Sequence, residues 1–363
     1  MARIVLDAIA HSYGGKAKRM SDYALRPLNH VWDDGGAYAL LGPSGCGKTT
    51  LLNVISGLIT PSEGRIRFDD IDVTELPTQR RNIAQVFQFP VIYDTMTVGD
   101  NLAFPLRNRR LPEAQVRERV NEVAEMLDLA GDLNRRAKNL SADAKQKISL
   151  GRGLVRDDVA AILFDEPLTV IDPHVKWQLR RKLKEIHEKL APTLVYVTHD
   201  QNEALTFADR VVVMLDGQVL QVGSPVELFE NPRHTFVGYF IGSPGINLID
   251  CTLEGERAVF TGGSVALLPD QVRRVRERNV TLKLGIRPRY LGVAATPGEG
   301  TVAARVTDVE DLGTHRLVTL RLGDGGGELH AMVHEDAEVP AEMAYLSFPP
   351  DRTKLFADDL LVA

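Results

Sequence analysis

A glycine-rich loop at residues 42–50 contains the residue types that surround the phosphate chain of a nucleotide. It fits the pattern G-x-x-x-x-G-K-[ST], and in order it reads Gly42, Pro43, Ser44, Gly45, Cys46, Gly47, Lys48, Thr49 and Thr50. Glycines leave backbone N–H groups open to phosphate oxygens, and the start of a following helix adds unpaired N–H groups and the positive end of its dipole. We expect Lys48 to contact the β- and γ-phosphates and the Thr49 hydroxyl to bind Mg²⁺.

The segments on either side of this loop have the composition of a strand and a helix. Residues 37–41 form a short apolar strand, and residues 51–55 open a helix. A strand, a glycine loop and a helix are the context in which the pattern is specific. Cys46 occupies a position that needs a small side chain, so we expect a structural role for it.

Two adjacent acids end a second apolar strand. Residues 159–166 are apolar up to Asp165 and Glu166, which is typical of a parallel sheet covered on both faces. Ligands of α/β proteins bind at the carboxyl ends of such strands. We therefore expect Asp165 to hold Mg²⁺ and Glu166 to polarise a water molecule; an acidic surface turn is the weaker interpretation.

Two other strands end in a polar side chain. Residues 83–88 end in Gln88, whose amide could bind Mg²⁺ or the attacking water, although a loop glutamine is the default for this residue alone. Residues 193–200 contain His199 at their carboxyl end. A single histidine is usually structural, but beside a phosphate site it is a candidate for contact with the γ-phosphate.

A tyrosine and a serine are further candidates, the first for stacking on a base and the second for capping a helix. Tyr13 lies ahead of the glycine loop, on what we expect to be an edge strand, where its ring could stack on a base; a surface tyrosine is the commoner case. Ser141 is a good N-cap for a helix that continues to about Val155.

Composition limits the class of protein. The chain has 363 residues, which favours two domains, and its net charge of −6 gives no support for nucleic-acid binding. The two cysteines, Cys46 and Cys251, form neither a disulfide framework nor a zinc site, so a reducing cytoplasm is expected. No apolar run approaches the roughly 18 residues of a membrane span, and the N-terminus lacks the pattern of a signal peptide. Any membrane role must then come through a partner.

The pattern of elements changes after about residue 240. Before it, amphipathic helices are expected at 112–129 and 175–190, and a hairpin at 210–222 turns at an Asp-Gly pair. After it, short β-rich runs separated by turns are typical of a small barrel; they lie at 256–260, 280–286, 301–310, 314–321 and 327–333. Residues 242–245 are the expected linker.

Taken together, these residues resemble an ATP-binding cassette ATPase, and the resemblance covers essentially the whole chain. The motifs that carry it appear in the family's order: Tyr13, 42–50, Gln88, Leu140-Ser141, Asp165-Glu166, Asp172 and His199. The C-terminal part is similar to the regulatory domain of the maltose-type and glycerol-phosphate-type importer ATPases, on residues 240–244, Asn247 and 285–288, and residues 95–98 and 101–106 also resemble this subfamily.

The resemblance implies a fold of the α/β class with two domains. A P-loop NTPase cassette domain is expected at 1–238, with a helical subdomain at about 89–156. A small all-β, OB-like regulatory domain is expected at 239–363.

The resemblance also implies a function. The chain would be the ATPase subunit of an importer of a small polar solute, a carbohydrate or a polyol such as glycerol. It would bind ATP and Mg²⁺ on the cytoplasmic side of the inner membrane, as a peripheral partner of two permease subunits, a second cassette and a solute-binding protein, without nucleic acid. Tyr13 would stack on adenine, Glu166 would be the general base, His199 would contact the γ-phosphate, and Gln88 would couple the site to the permease.

The signature motif departs from the family pattern. The family reads Leu-Ser-Gly-Gly-Gln, whereas this chain has Leu140, Ser141, Ala142, Asp143 and Ala144. Ser141 keeps its hydroxyl, but Ala142 adds a Cβ, Asp143 adds a negative charge and Ala144 lacks an amide. We expect an asymmetric pair with a different cassette chain; a homodimer with two weakened sites is the alternative. A regulatory or scaffold cassette with little turnover is the competing function, while a cassette protein of translation or DNA repair fits poorly.

Overall fold

The computed structural model describes residues 2–15, 17–276 and 279–362. The chain divides into two compact units, Met1–Pro225 and Val226–Ala363. The sequence-based domain boundary after residue 238 stays a prediction; the first unit as observed ends before it.

The first unit contains two sheets. Its strands are β1 Ile4–His11, β2 Leu25–Trp32, β3 Ala37–Leu41, β4 Glu63–Phe68, β5 Ile71–Asp72, β6 Ala84–Val86, β7 Ile162–Asp165, β8 Leu194–Thr198, β9 Arg210–Leu215 and β10 Gln218–Gly223. The larger sheet has the order β10-β9-β3-β8-β7-β6, and its pairs from β9 to β6 are parallel. Every residue of β3 and β8 is buried, as expected of apolar strands covered on both faces.

The smaller sheet is antiparallel, with the order β2-β1-β4-β5. The expectation that Tyr13 lies on an edge strand is wrong, because β1 pairs with β2 on one side and β4 on the other. Tyr13 lies in the turn that follows β1. The strand β2 was not expected, because its Pro27, Asn29 and His30 interrupt the apolar pattern.

The described part of the first unit contains six helices. They are α1 Lys48–Ser56, α2 Val98–Asn108, α3 Glu113–Met126, α4 Ala142–Leu154, α5 Pro173–Leu190 and α6 Gln201–Phe207, with 3₁₀ turns at Met20–Asp22, Thr78–Arg80, Ala130–Asp132 and Ala137–Asn139. Of the six, α1, α3, α4 and α5 correspond to helices expected from the sequence. Helices α2 to α4 lie within the expected helical subdomain. Gly151 lets α4 approach α2 closely, since a Cβ there would be 2.5 Å from Leu102 Cδ2.

The second unit contains two antiparallel sheets. Its helices are α7 Pro225–Glu230, α8 Thr235–Phe240 and α9 Pro269–Val275, with a 3₁₀ turn at Pro288–Tyr290, and its strands are β11 Asn247–Glu254, β12 Arg257–Phe260, β13 Gly263–Ala266, β14 Leu282–Ile286, β15 Gly292–Ala294, β16 Val302–Asp311, β17 His315–Leu322, β18 Glu328–His334, β19 Met343–Ser347, β20 Lys354–Ala357 and β21 Leu360–Leu361. The orders are β13-β12-β11-β14-β20-β21 and β15-β19-β16-β17-β18. Both sheets contribute to one apolar core, which includes Leu284, Val318 and Leu346. The expected β-rich domain is confirmed.

One arginine holds α7 and α8 to this core. The Arg287 side chain is 3% exposed and donates hydrogen bonds to the carbonyl oxygens of Phe229 (2.8 and 3.0 Å), Gly238 (2.7 Å) and Ile241. Its guanidinium also stacks on the Phe229 ring at 4.1 Å. Residues 242–245, expected as a linker, therefore lie inside the second unit, just after α8.

Candidate active site

The parallel sheet brings the predicted site residues to one edge. The glycine loop follows β3, Asp165 ends β7 and His199 follows β8, and these three strands are neighbours. Because parallel strands end at the same edge, residues far apart in the chain meet there. The register confirms this, since Leu41 pairs with Thr198 and Asp165 with Val197.

Two glycines of the loop are required by the backbone around them. A Cβ on Gly42 would lie 2.3 Å from the Met214 carbonyl oxygen. Gly47 has φ +99° and is the N-cap of α1, and a Cβ on it would lie 2.6 Å from the Ala24 carbonyl oxygen. Any larger residue would push the loop away from β9 or from the residue before β2, so these glycines fix its shape.

Lys48 begins α1 and turns back into the loop. Its Nζ donates hydrogen bonds to the carbonyl oxygens of Gly42 (2.8 Å) and Pro43 (2.9 Å), and the side chain is 5% exposed. The ammonium group is thus fixed inside the loop by two carbonyl oxygens. Cys46 is buried beside it, and burial raises the pKa of the Cys46 thiol. A neutral, buried thiol agrees with the structural role expected for Cys46.

A hydroxyl and a carboxylate face each other across the first turn of α1. The Thr49 hydroxyl donates to Asp165 Oδ1 at 3.3 Å. Burial raises the pKa of Asp165, and the negative charge of Glu166 adds to this, while the Thr49 hydrogen bond and the Lys48 charge act in the opposite direction. Mg²⁺ takes oxygen ligands and is usually bound through one or two carboxylates, so the residues present fit the ion.

Glu166 and His199 are in direct contact. His199 Nδ1 lies 3.2 Å from Glu166 Oε2, and the Thr169 hydroxyl donates to the same oxygen at 3.2 Å. Glu166 has φ +46°, an uncommon backbone conformation for this residue type, and its N–H donates to the Val197 carbonyl of β8. In the described part of the chain Oε1 of Glu166 has no hydrogen-bond partner.

Three predicted residues lie further from this cluster. Tyr13 is 65% exposed, and its hydroxyl lies 3.2 Å from that of Thr50 in α1. Gln88 is half-buried just beyond β6, at the same sheet edge as Asp165, but it makes no hydrogen bond to Thr49 or Asp165 within the described ranges. Ser141 is confirmed as the N-cap of α4, where it accepts from the Ala144 N–H at 3.3 Å.

Gln146 is a site-supporting residue that the sequence did not reveal. It lies in α4, is fully buried, and its Nε2 donates to the carbonyl oxygens of Pro167 (2.7 Å) and Phe87 (3.4 Å). Those two residues adjoin Glu166 and Gln88 in the chain. Gln146 thereby joins the signature helix to both loops, and the only available signal was a polar residue on the buried face of an amphipathic helix.

No helix among the described residues combines the length and apolar character needed to cross a membrane.

Comparisons with known proteins agree with these observations. The ABC transporter family model matches residues 25–169, and the TOBE domain model matches residues 284–356. The first match covers the glycine loop and the Asp165-Glu166 pair; the second covers most of the β-rich part of the second unit.

Similar proteins match over nearly the full length. The sn-glycerol-3-phosphate import ATP-binding protein UgpC of Salmonella typhimurium is 38% identical over 358 residues, 98% of each chain. The trehalose/maltose import ATP-binding protein MalK of Thermococcus litoralis is 42% identical over 335 residues, 87% of this chain and 90% of the relative. Among solved structures, CbiO1 of Clostridium perfringens, part of the ABC transporter complex CbiONQ, matches with a TM-score of 0.57 and 27% identity, covering 63% of this chain and 90% of that one.

Proposed function

Since this chain belongs to the ATPase subunits of ABC transporters, in the branch that contains the maltose and glycerol-phosphate importer proteins, we propose that it drives uptake of a carbohydrate or polyol such as glycerol. It is an ATP hydrolase, and it couples ATP binding and hydrolysis to import. The solute class is supported by the relatives' names alone, because solute selection belongs to other subunits of such systems.

The proposed ATP site is the sheet edge at the glycine loop. The observation that carries it is the convergence of Lys48, the Thr49–Asp165 pair and the Glu166–His199 pair on that edge. Loop N–H groups and Lys48 would bind the β- and γ-phosphates, exchanging the two carbonyl contacts of Lys48 for phosphate oxygens. Mg²⁺ would be held by Thr49, Asp165 and Gln88 and would neutralise phosphate charge. Exposed Tyr13 would stack on the base.

Glu166 is the proposed general base. Its Oε2 is held by His199 and Thr169, which leaves Oε1 to accept a proton from the attacking water. His199, exposed at the end of β8, would hold Glu166 in place and contact the γ-phosphate. Through its two hydrogen bonds, Gln146 would hold the loops that contain Glu166 and Gln88 against α4.

The second ATP site of the pair would use this chain's signature motif. Ser141 caps α4 and is exposed, so it could meet a nucleotide held by another cassette. A charge on Asp143 about 6 Å from that γ-phosphate would cost on the order of 3 kcal/mol at an effective dielectric near 20. This supports pairing with a different cassette chain that supplies an intact signature, whereas a homodimer would carry the penalty twice.

Contact with permease subunits would use the segment after Gln88. Three apolar side chains of this segment are exposed: Phe89 68%, Val91 55% and Tyr93 40%. A contiguous exposed apolar segment marks a protein–protein contact, and here it directly follows a proposed metal ligand. The chain would sit peripherally on the cytoplasmic side of the membrane, with two permease subunits and a solute-binding protein.

Replacement of the proposed base tests this mechanism. Glu166→Gln keeps the size of the side chain but cannot accept a proton, so we expect ATP binding to persist and hydrolysis by the assembled transporter to fall by about 100-fold or more. Glu188→Gln, on the exposed face of α5, is the matched control. Hydrolysis at the wild-type rate in Glu166→Gln would refute the assignment.

The competing function, a regulatory cassette without useful turnover, is not supported by the relatives, which are named as import ATP-binding proteins. It predicts unchanged transport in the same Glu166→Gln variant, so one experiment separates the two.

A further inference from the structure

A cavity of about 520 Å³ lies on one face of the second unit. Its walls come from β16, β17 and β19 and from the two glycine-containing turns at Gly262 and at Gly323 to Gly325. A volume of this size is in the range that accepts a small metabolite. All of its lining residues belong to the second unit, whereas the residues of the proposed ATP site belong to the first.

Two arginines stand side by side in this cavity. Arg305 of β16 and Arg321 of β17 are direct partners in the antiparallel register. Both project from the outer face of the sheet, because their neighbours Ala304 and Leu322 are 1% exposed and belong to the core. Directly opposed side chains have Cβ atoms about 5 Å apart, so the two guanidinium groups can reach one ligand.

Neither arginine is engaged by another side chain in the part of the chain that the structure describes. In the described residues, neither makes a hydrogen bond or an ion pair, although Glu328 lies opposite Arg321 on β18 and Asp324 lines the cavity. Arg316 on the same strand β17, by contrast, pairs with Asp311 at 3.6 Å and donates to the Ala337 carbonyl. Like charges directly opposed across strands are unfavourable unless something compensates them.

The two glycine turns form one wall of the cavity. A Cβ on Gly262 would lie 3.0 Å from the Gly323 nitrogen, so the two turns meet backbone to backbone. Asp324, between the glycines, offers a carboxylate that can accept from a hydroxyl group. The cavity therefore offers two guanidinium groups as hydrogen-bond donors and one carboxylate as an acceptor.

We propose that this cavity is an effector site for a small polyol or sugar derivative that carries a phosphate or carboxylate group. Paired guanidinium groups bind such an oxyanion with charge-assisted, bidentate hydrogen bonds. Asp324 accepts from the ligand's hydroxyl groups. The second unit would then respond to the concentration of this metabolite through a binding site of its own, separate from the residues that bind ATP.

Calorimetric titration at constant ionic strength tests the site. The probes are glycerol phosphate, gluconate, inorganic phosphate and, as an uncharged comparison, glycerol. We expect one anion to bind saturably at one site per chain in addition to any binding at the glycine loop. Arg305→Gln with Arg321→Gln should weaken this binding by about tenfold or more, and the phosphate or carboxylate probe that binds more tightly identifies the oxyanion.

Arg316→Gln is the matched control, because it removes a neighbouring arginine that is already paired. It should leave anion binding in the cavity unchanged. Any anion binding at the glycine loop should be the same in every variant, so differences between variants report on the cavity. If the double variant does not fold, the single variants Arg305→Gln and Arg321→Gln each carry the test. Wild-type affinity without these arginines, glycerol binding as tightly as glycerol phosphate, or no saturable anion binding in the wild type would overturn the proposal.

Discussion

The negative charge of Asp165 lowers the stability of the folded protein, yet a bound Mg²⁺ ion requires that charge. Burial and the adjacent Glu166 raise its pKa, so the folded protein holds its ionised form at a cost. A Mg²⁺ ion needs that ionised form. The carboxylate is thus prepared for a cation, at the expense of stability when no cation is bound.

Replacing Asp165 with asparagine should stabilise the nucleotide-free protein. A carboxyl group whose pKa is raised on folding destabilises the folded state above that pKa, and the cost disappears as the pH falls below the unfolded value near 3.9. Asp165→Asn should therefore raise the melting temperature by about 2 °C at pH 7, and the gain should shrink on acidification. It should abolish Mg²⁺-dependent hydrolysis.

Thermal melts of Asp165→Asn between pH 4 and pH 7 provide the measurement, without nucleotide or metal. Asp157→Asn is the control, since Asp157 is an exposed acid outside the site. A lower melting temperature at pH 7, or a gain that does not change with pH, would argue against a destabilising charge at Asp165.

At the level of elements, the sequence predicted those whose pattern is strong and local. The strand at 37–41, the hairpin at 210–222 and the cap at Ser141 are confirmed, because apolar runs, an Asp-Gly turn and a capping serine each act over a few residues. The strand β2 and the central position of β1 depend on pairing between distant segments, which no local pattern encodes.

The same distinction holds within the site. The glycine loop, Asp165 and Glu166 could be identified because motif and strand end coincide. The contact of His199 and Thr169 with one oxygen of Glu166, and the reach of Gln146 to two loops, are tertiary contacts between segments far apart in sequence. They could not be read from spacing alone.

The position of α7 and α8 leads to a prediction about the C-terminal fragment. Arg287 depends on carbonyl oxygens of Phe229, Gly238 and Ile241, and burial lowers the pKa of Arg287 to about 10. A fragment 239–363 loses two of these acceptors and leaves a buried cation unsatisfied, at a cost of about 3 kcal/mol or more. We expect fragment 226–363 to melt cooperatively and at clearly higher temperature than fragment 239–363.

Calorimetric or fluorescence melts of the two fragments make this comparison. Arg287→Met in fragment 226–363 serves as a second check, because it removes the charge together with its need for acceptors. Equal melting temperatures for the two fragments would show that the two helices are not part of the folding unit.

At the scale of the whole molecule, the altered signature motif predicts an asymmetric assembly. One cassette of the pair would keep a complete phosphate loop, Glu166 and His199, and a different chain would supply the signature that closes over them. Native mass spectrometry of the assembly, expressed with its permease partners and any neighbouring cassette chain, should give one copy of this chain and one other cassette. Two copies of this chain would contradict the asymmetry and leave import itself untouched.

We propose that ATP held by this chain drives import. The most direct measurement is solute uptake into membrane vesicles that contain the complete transporter, with ATP supplied on the side of this subunit. We predict uptake that requires ATP and that falls at least about 100-fold with Lys48→Ala, since that change removes the positive charge fixed inside the phosphate loop. Uptake without ATP, or uptake that survives in Lys48→Ala, would contradict the claim.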